Sequence, residues 1–299
     1  MGINSTDMYQ QILNEKRSRV RSLPDLPPFP VIGQQIMNQV TSEQVDIPRL
    51  SKTIEQDPAV FSRIIGVANS AYYGCPDKIY TINRAIVRVL GLSVVKSLAL
   101  GIVLNEPFKN TVCQGFSMKE YWFRSMFLAT SARWLGRRIQ QTEKDFLDQA
   151  YLVGMLNNIG ELVLVHLFPS EMNDVYTRLQ GQEDVDLTNL QAEIIGITGH
   201  EAGAILAKKW HLPESLLTVF LHSNEEDYNG PYWQLLQLIR LCRLIADKED
   251  MNDLSDHTEI VEHAKKLGIE SEQLDKLLLK MPVIYQDVDD LSSVLAKAS

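Results

Sequence analysis

Apolar residues recur at helical spacing through most of this 299-residue chain, most densely from Ala150 to His166. There Leu152, Met155, Leu156, Ile159, Leu162, Val163 and Leu167 have the spacing of a buried helical hairpin or bent helix pair. Asn157 and Asn158 interrupt the run, and Gly160 permits either a tight turn or a close helix crossing. An amide left unpaired in an apolar interior costs about 1–3 kcal/mol. The two asparagines must therefore cap a helix junction or line a site where something else supplies the partner.

The same periodicity predicts helices along the remainder of the chain. One covers residues 5 to about 20, ending in the basic run Lys16 to Arg21. Four prolines between Leu23 and Pro30 forbid a helix there and hold the chain extended, with Leu26 and Phe29 expected in a groove of their own domain. Helices are expected from Val31 to about Gln44 and from Ile47 to Gln56. Asp57 reads as an N-cap with Pro58 at the first helical position, and Asn69-Ser70 with Tyr72-Tyr73-Gly74 as the terminator. Thr81 caps a helix ended by Gly91, and Ser93 starts a second. That pair has the outline of a helix-turn-helix, but the second helix is too apolar to leave a reading face for DNA. Ser117 precedes a long helix with apolar residues on several sides, among which Arg124 is the exception. Its guanidinium would snorkel or meet a carboxylate, and in a pocket it would be a good anion ligand. Further helices follow Pro169, Leu187, His200, Glu214, Pro231, Ile260 and Ser271, and Asp289 to Ala298 is expected to be a short terminal segment open to exchange with a partner. No strand pattern, internal repeat or low-complexity linker is evident.

Composition narrows the function classes. At 45% hydrophobic and 22% charged residues, the chain is folded and globular. No apolar run approaches a bilayer span, and the N-terminus lacks the basic start and apolar centre of a signal peptide, so membrane insertion is not expected and the cytoplasm is the expected compartment. Three widely spaced cysteines, Cys75, Cys113 and Cys242, argue against a disulfide framework or a cysteine zinc site. A net charge of -9 repels nucleic acid unless a basic patch is segregated from it, and no nucleic-acid partner is expected. Among the six histidines, His200 and His222 sit at helix boundaries and would converge if their helices form a hairpin. Two imidazoles alone make a weak metal site; Glu201 and Glu225 are the carboxylates near enough in sequence to help.

Several phrases together carry a resemblance. Gly154-Met155-Leu156-Asn157-Asn158-Ile159-Gly160 is similar to the phrase in which HD-superfamily phosphohydrolases carry their His-Asp pair, with asparagine in both places. Leu50 to Gly74, Ala85 to Leu92, Trp122 to Ser125, Thr198 to Ala204 and Trp210 to Pro213 resemble the HDOD group, the HD-related output domain of bacterial signalling proteins. The resemblance runs from Leu23 to about residue 280. It implies an all-α fold: an HD-domain-like helical core with an additional N-terminal helical subdomain. The implied division is an N-terminal helix at 1–22, the N-terminal subdomain at 23–115, the HD-like core at 116–226, and C-terminal helices packing on the core at 227–299.

In catalytic HD proteins a histidine of the preceding helix, the His-Asp pair and a later aspartate hold the metals. The resemblance places Arg124 at the first position and Asn157-Asn158 at the pair, and reads the family's later His-His doublet as His222-Ser223, while His200 matches a further family histidine. Arginine cannot ligate and a neutral amide balances no metal charge, so hydrolysis through a metal-bound water is not expected. No catalytic residue, cofactor or metal is assigned, and Arg124, Asn157, Asn158, His200 and His222 are candidates for a vestigial pocket. The expectation is a non-catalytic signalling or regulatory module acting through a protein partner. The alternatives are a sensor of a nucleotide or other phosphorylated small molecule, and a divergent metal-dependent phosphohydrolase.

Overall fold

The computed structural model describes residues 26–40, 45–109, 112–140, 143–180, 186–247 and 258–297, and among them every regular element is helical. The helix expected over residues 5–20 lies outside the described residues. Leu26 is buried and the Phe29 ring lies 5.4 Å from that of Trp210, so the proline-rich stretch does pack in a groove of its own fold.

α1 (Val31–Val40) is the described part of the helix expected to reach Gln44. α2 (Ile47–Glu55) is capped by Asp46, and α3 (Pro58–Ala68) by Asp57, whose Oδ1 accepts from the amides of Ala59 and Val60 at 2.9 and 3.1 Å. Thr81 Oγ1 caps α4 (Ile82–Arg84), which widens into a π-helix over Ala85–Leu90 before Gly91, at φ +80°, turns the chain. α5 (Leu92–Asn105) begins at Leu92, after the N-cap Gly91, rather than at Ser93 and is buried along nearly its whole length, which leaves no reading face for a helix-turn-helix. Ser117 caps α6 (Met118–Gly136).

α7 (Phe146–Leu156) and α8 (Ile159–Leu167) are the two arms of the apolar run, broken by a turn at Asn157-Asn158. Contrary to the expectation of no such run, Phe146–Leu167 has the length and composition to cross a membrane; 83% of its most apolar window is buried inside the protein. It is the core of the bundle. α7 packs against α6 so closely that a Cβ on Gly154 would meet Ala129 Cα at 2.7 Å. α9 (Pro169–Gln180), α10 (Leu187–Ile194), α11 (Gly199–Lys209) and α12 (Glu214–Leu221) follow. α13 (Trp233–Ala246) starts after Tyr232, at φ +62°, rather than at Pro231, and packs on α6 and α7.

α14 (Thr258–Lys266) and α15 (Ser271–Leu278) lead to α16 (Met281–Ala296). The terminal segment expected to be short is thus a 16-residue helix. Its Met281, Val288, Leu291 and Leu295 are buried where it lies across α6 and α3, and Lys119 pairs with Asp289 at 2.8 Å. Such burial ties the segment into the core instead of leaving it open to exchange. The three cysteines are free thiols, Cys242 buried and the other two half-buried.

Candidate functional site

The centre of the bundle is built where α8 crosses α11. A Cβ on Gly160 would fall 1.8 Å from the carbonyl oxygen of Gly199 and 2.6 Å from the amide nitrogen of Gly203, so only glycine permits this approach. Of the two roles open to Gly160, close crossing is the one it performs. The crossing brings the start of α8, with Asn158 just before it and Glu161 in its first turn, against the start of α11, where His200 follows Gly199. α11 is held at this end by a capping box: Thr198 Oγ1 accepts from Glu201 N at 3.2 Å, and Glu201 Oε2 accepts from Thr198 N at 2.9 Å. Gln191 Oε1 takes the Gly199 amide at 2.8 Å. Glu201 is thereby committed to the helix end.

His200 is 8% exposed and its Nε2 lies 2.5 Å from Nη1 of Arg243 on α13. A guanidinium only donates, so Nε2 is the acceptor and the ring is neutral with its proton on Nδ1. Burial, and then the charges of Arg243 and Arg240, hold the imidazole down to about pKa 3. Nδ1 has no hydrogen-bond partner among the described residues. Asn157 is 5% exposed; its Nδ2 donates to Asn158 Oδ1 at 3.4 Å, while Asn157 Oδ1 and Asn158 Nδ2 are likewise unpaired.

Arg124 is exposed on α6, close enough to Glu161 and Arg243 to act on both electrostatically. Glu161 accepts from the Tyr176 hydroxyl at 2.6 Å. Burial raises the Glu161 pKa, and the charge of Arg124 and the tyrosine hydrogen bond oppose that shift. Arg243 has its own pKa lowered by burial, with Asp247 and Asp186 countering and Arg124 reinforcing.

His222 is the C-cap of α12. Its ring stacks on Tyr228 at 4.0 Å, and Glu225 Oε2 stands 3.0 Å from Nδ1 but outside hydrogen-bonding alignment, which leaves Nδ1 without a true hydrogen bond. Arg240 binds the end of that helix through its backbone, donating from Nη2 to the carbonyls of His222, Ser223 and Glu225 at 2.6, 3.0 and 2.6 Å. Asn157 and Asn158 thus lie in the turn before α8, His200 follows Gly199 at the start of α11, and Arg124 stands on α6 within electrostatic reach of Glu161 and Arg243, while the His222 ring makes its contacts with Tyr228 and Glu225.

Glu161, Tyr176, Arg240 and Arg243 join the site without having been singled out in the sequence. The available signal was charge on apolar helices: Glu161 in IGELVLVHL, and Arg240 with Arg243 in WQLLQLIRLCRLIA.

An HD centre implies a metal, and the donor set present does not fit one. Among the described residues no group of three or more His, Cys, Asp or Glu side chains could hold an ion. The Nε2 lone pair that would ligate is taken by a guanidinium, which brings a positive charge of its own.

An all-helical bundle with asparagines in place of the His-Asp pair and an arginine on the remaining histidine is a degenerate member of the HD-like class. The sequence profile of the HDOD domain matches residues 26–226, and the chain belongs to that family. Its fold is similar to that of a candidate signal transduction protein from Marinobacter aquaeolei VT8, with TM-score 0.80 and 21% identity over 98% of this chain and 67% of that one. It is also similar to an HDOD domain protein of unknown function from Geobacter sulfurreducens, with TM-score 0.74 and 20% identity over 95% and 99% of the two chains. A candidate phosphohydrolase from Shewanella amazonensis SB2B gives TM-score 0.73 and 22% identity over 95% and 98%. An uncharacterized protein of Treponema pallidum (strain Nichols) is 26% identical over 224 residues, 74% of this chain and 42% of that one, so the chain spans less than half of this curated relative.

Proposed function

We propose that this chain is a non-catalytic HDOD signalling module that acts in the cytoplasm by engaging another protein. The observation that carries the reading is the Arg243 guanidinium on His200 Nε2 at the centre of an otherwise well-packed HD-like bundle. Metal-assisted hydrolysis needs a ligand set that lowers the pKa of water and places a cation on the phosphate. Here arginine and amide side chains stand at those positions, and neither supplies that chemistry. What is left to transmit a signal is the surface of a stable scaffold.

Two measurements test this. Purified protein with added manganese, iron or zinc is expected to turn over neither a phosphodiester nor a phosphomonoester; metal-dependent turnover that His200→Ala abolishes would overturn the reading. Crosslinking in cells of its own host, followed by reconstitution of the captured pair from two purified proteins, is expected to give a defined complex.

A further inference from the structure

We infer that this chain associates with a second copy of itself, the basic face of the helical segment Ile82–Leu90 in one copy docking on the acidic loop that follows α12 in the other. This goes beyond the non-catalytic reading and does not depend on it. Charge is divided along the chain: residues 1–105 hold 11 Lys and Arg against 8 Asp and Glu, and residues 106–299 hold 18 against 30. The first part is thus net +3 and the second net -12. Unlike parts of two copies attract, and like parts repel.

The basic face is defined by helical spacing. Along α4 and the π-helix after it, Ile82, Ala85, Ile86 and Leu90 are buried, which turns Tyr80, Arg84, Val87 and Arg88 outward together over about 12 Å. Tyr80 is 66% and Val87 69% exposed, two large apolar side chains on one face rather than one alone. The side chains of Arg84, and of Lys78 just before Tyr80, enter no hydrogen bond or ion pair among the described residues. Arg88 pairs with Asp77 at 3.5 Å, both more than half exposed, and such a contact is readily given up.

The acidic loop is held ready in the same way. Leu221, the last residue of α12, is 57% exposed. Arg240 Nη2 donates to the carbonyls of His222, Ser223 and Glu225, which folds the loop back on that helix end. Glu225, Glu226 and Asp227, all exposed, stand at its tip. Glu225 lies by the His222 ring, whereas the carboxylates of Glu226 and Asp227 enter no hydrogen bond or ion pair among the described residues. The helical segment packs on α2, α3 and α5, and the loop is tied to α12 and α13, so the two patches belong to different parts of the fold. A second copy brings to the basic face what that face lacks: three carboxylates for its cations and an apolar side chain for Tyr80 and Val87. DNA, with one charge per about 1.7 Å, and an anionic lipid surface, which takes a cluster of about four to eight cations, both ask for more positive charge than this face carries.

The test is sedimentation velocity of the full chain over about 10–200 µM at low ionic strength. The wild type is expected to sediment faster as concentration rises, and to become monomeric at about 1 M salt, where the Debye length falls to about 3 Å. A double variant Arg84→Gln, Arg88→Gln and a second double variant Glu226→Gln, Asp227→Asn are each expected to stay monomeric. An equimolar mixture of the two is expected to form a one-to-one dimer, because one variant keeps the basic face and the other keeps the acidic loop. That recovery also shows that both variants fold. A wild type that stays monomeric at about 200 µM and low salt would overturn the inference, and this arm needs no variant. Association that both double variants retain, or a mixture of folded variants that stays monomeric, would overturn it too. Binding of mixed-sequence DNA by a monomeric wild type would assign the basic face to nucleic acid instead. None of these results touches the non-catalytic reading, which fails only on metal-dependent turnover.

Discussion

Gly160→Ala should be among the most damaging single-methyl additions in this protein. Adding a methyl to a helical glycine ordinarily stabilises by about 0.4–1 kcal/mol, because it restricts the unfolded chain. Here the new Cβ would sit 1.8 Å from Gly199 O, 2.6 Å from Gly203 N and 2.8 Å from Gly199 C. All three are backbone atoms of the facing segment, so no rotamer change relieves the overlap. Restoring van der Waals separation requires α8 and α11 to part by roughly 1.5 Å along the crossing. Such parting loosens Ile159, Leu162 and Val163 on one side from Ala202 and Leu206 on the other, all buried. Ordinary overpacking costs about 1–3 kcal/mol. A backbone-on-backbone clash belongs at or above the top of that range, so a loss of about 3 kcal/mol or more is expected. At roughly 2–4 °C per kcal/mol for a chain of this size, the melting temperature should fall by about 6 °C at least. Urea denaturation and calorimetry measure both quantities. A Gly160→Ala protein melting within about 2 °C of wild type, or above it, would refute the crossing geometry and the site built on it.

Two other outcomes follow from the same centre. The unfolded chain takes up a proton on His200 below its ordinary pKa of 6.5, whereas the folded chain resists until about 3, so this residue makes stability fall as pH falls through that window. Roughly 2–3 kcal/mol should be lost by pH 4.5 in wild type and spared in His200→Gln, read as converging urea stabilities. The raised pKa of Glu161 has the opposite sign and is common to both proteins, so it cancels in the comparison; parallel profiles would sink the assignment. Arg240→Lys should cost about 1.5–3 kcal/mol, because lysine has no counterpart of the planar guanidinium that reaches Ser223 O from Nε as well as Nη2 while Nη2 also donates to the carbonyls of His222 and Glu225. A lysine variant as stable as wild type in urea would show that the fork contributes nothing.

Local chemistry is what made parts of this fold legible. Asp57, Thr81 and Ser117 cap helices through atoms two or three residues away, and a cap of that kind is visible in a short window of sequence. The Asn157-Asn158 break was legible because two amides stand out in an apolar run. Arg243 was not, since its partner His200 lies 43 residues earlier and nothing in either helix announces the other. Glu161 and Tyr176, 15 residues apart on consecutive helices, were hidden for the same reason. At the C-terminus, Asp287, Asp289 and Asp290 obscured the stripe Met281, Val288, Leu291, Leu295, and only its neighbours α3 and α6 reveal that stripe as core. The Phe146–Leu167 run passed as two short arms in sequence because its asparagines divide it.

A metal-binding bundle that loses its ligands can lose its fold with them, since metal binding free energy is often folding free energy. The centre here is closed by interactions that need no ion. Gly154 lets α7 lie on Ala129 of α6, Gly160 lets α8 lie on Gly199 and Gly203 of α11, and the Thr198–Glu201 box fixes the α11 terminus. His200, which would be an unpaired buried base, is satisfied at Nε2 by Arg243, so a side chain of the protein supplies the positive charge at that point. The guanidinium brings a positive charge without open coordination positions, which is the difference between a centre that activates water and one that does not.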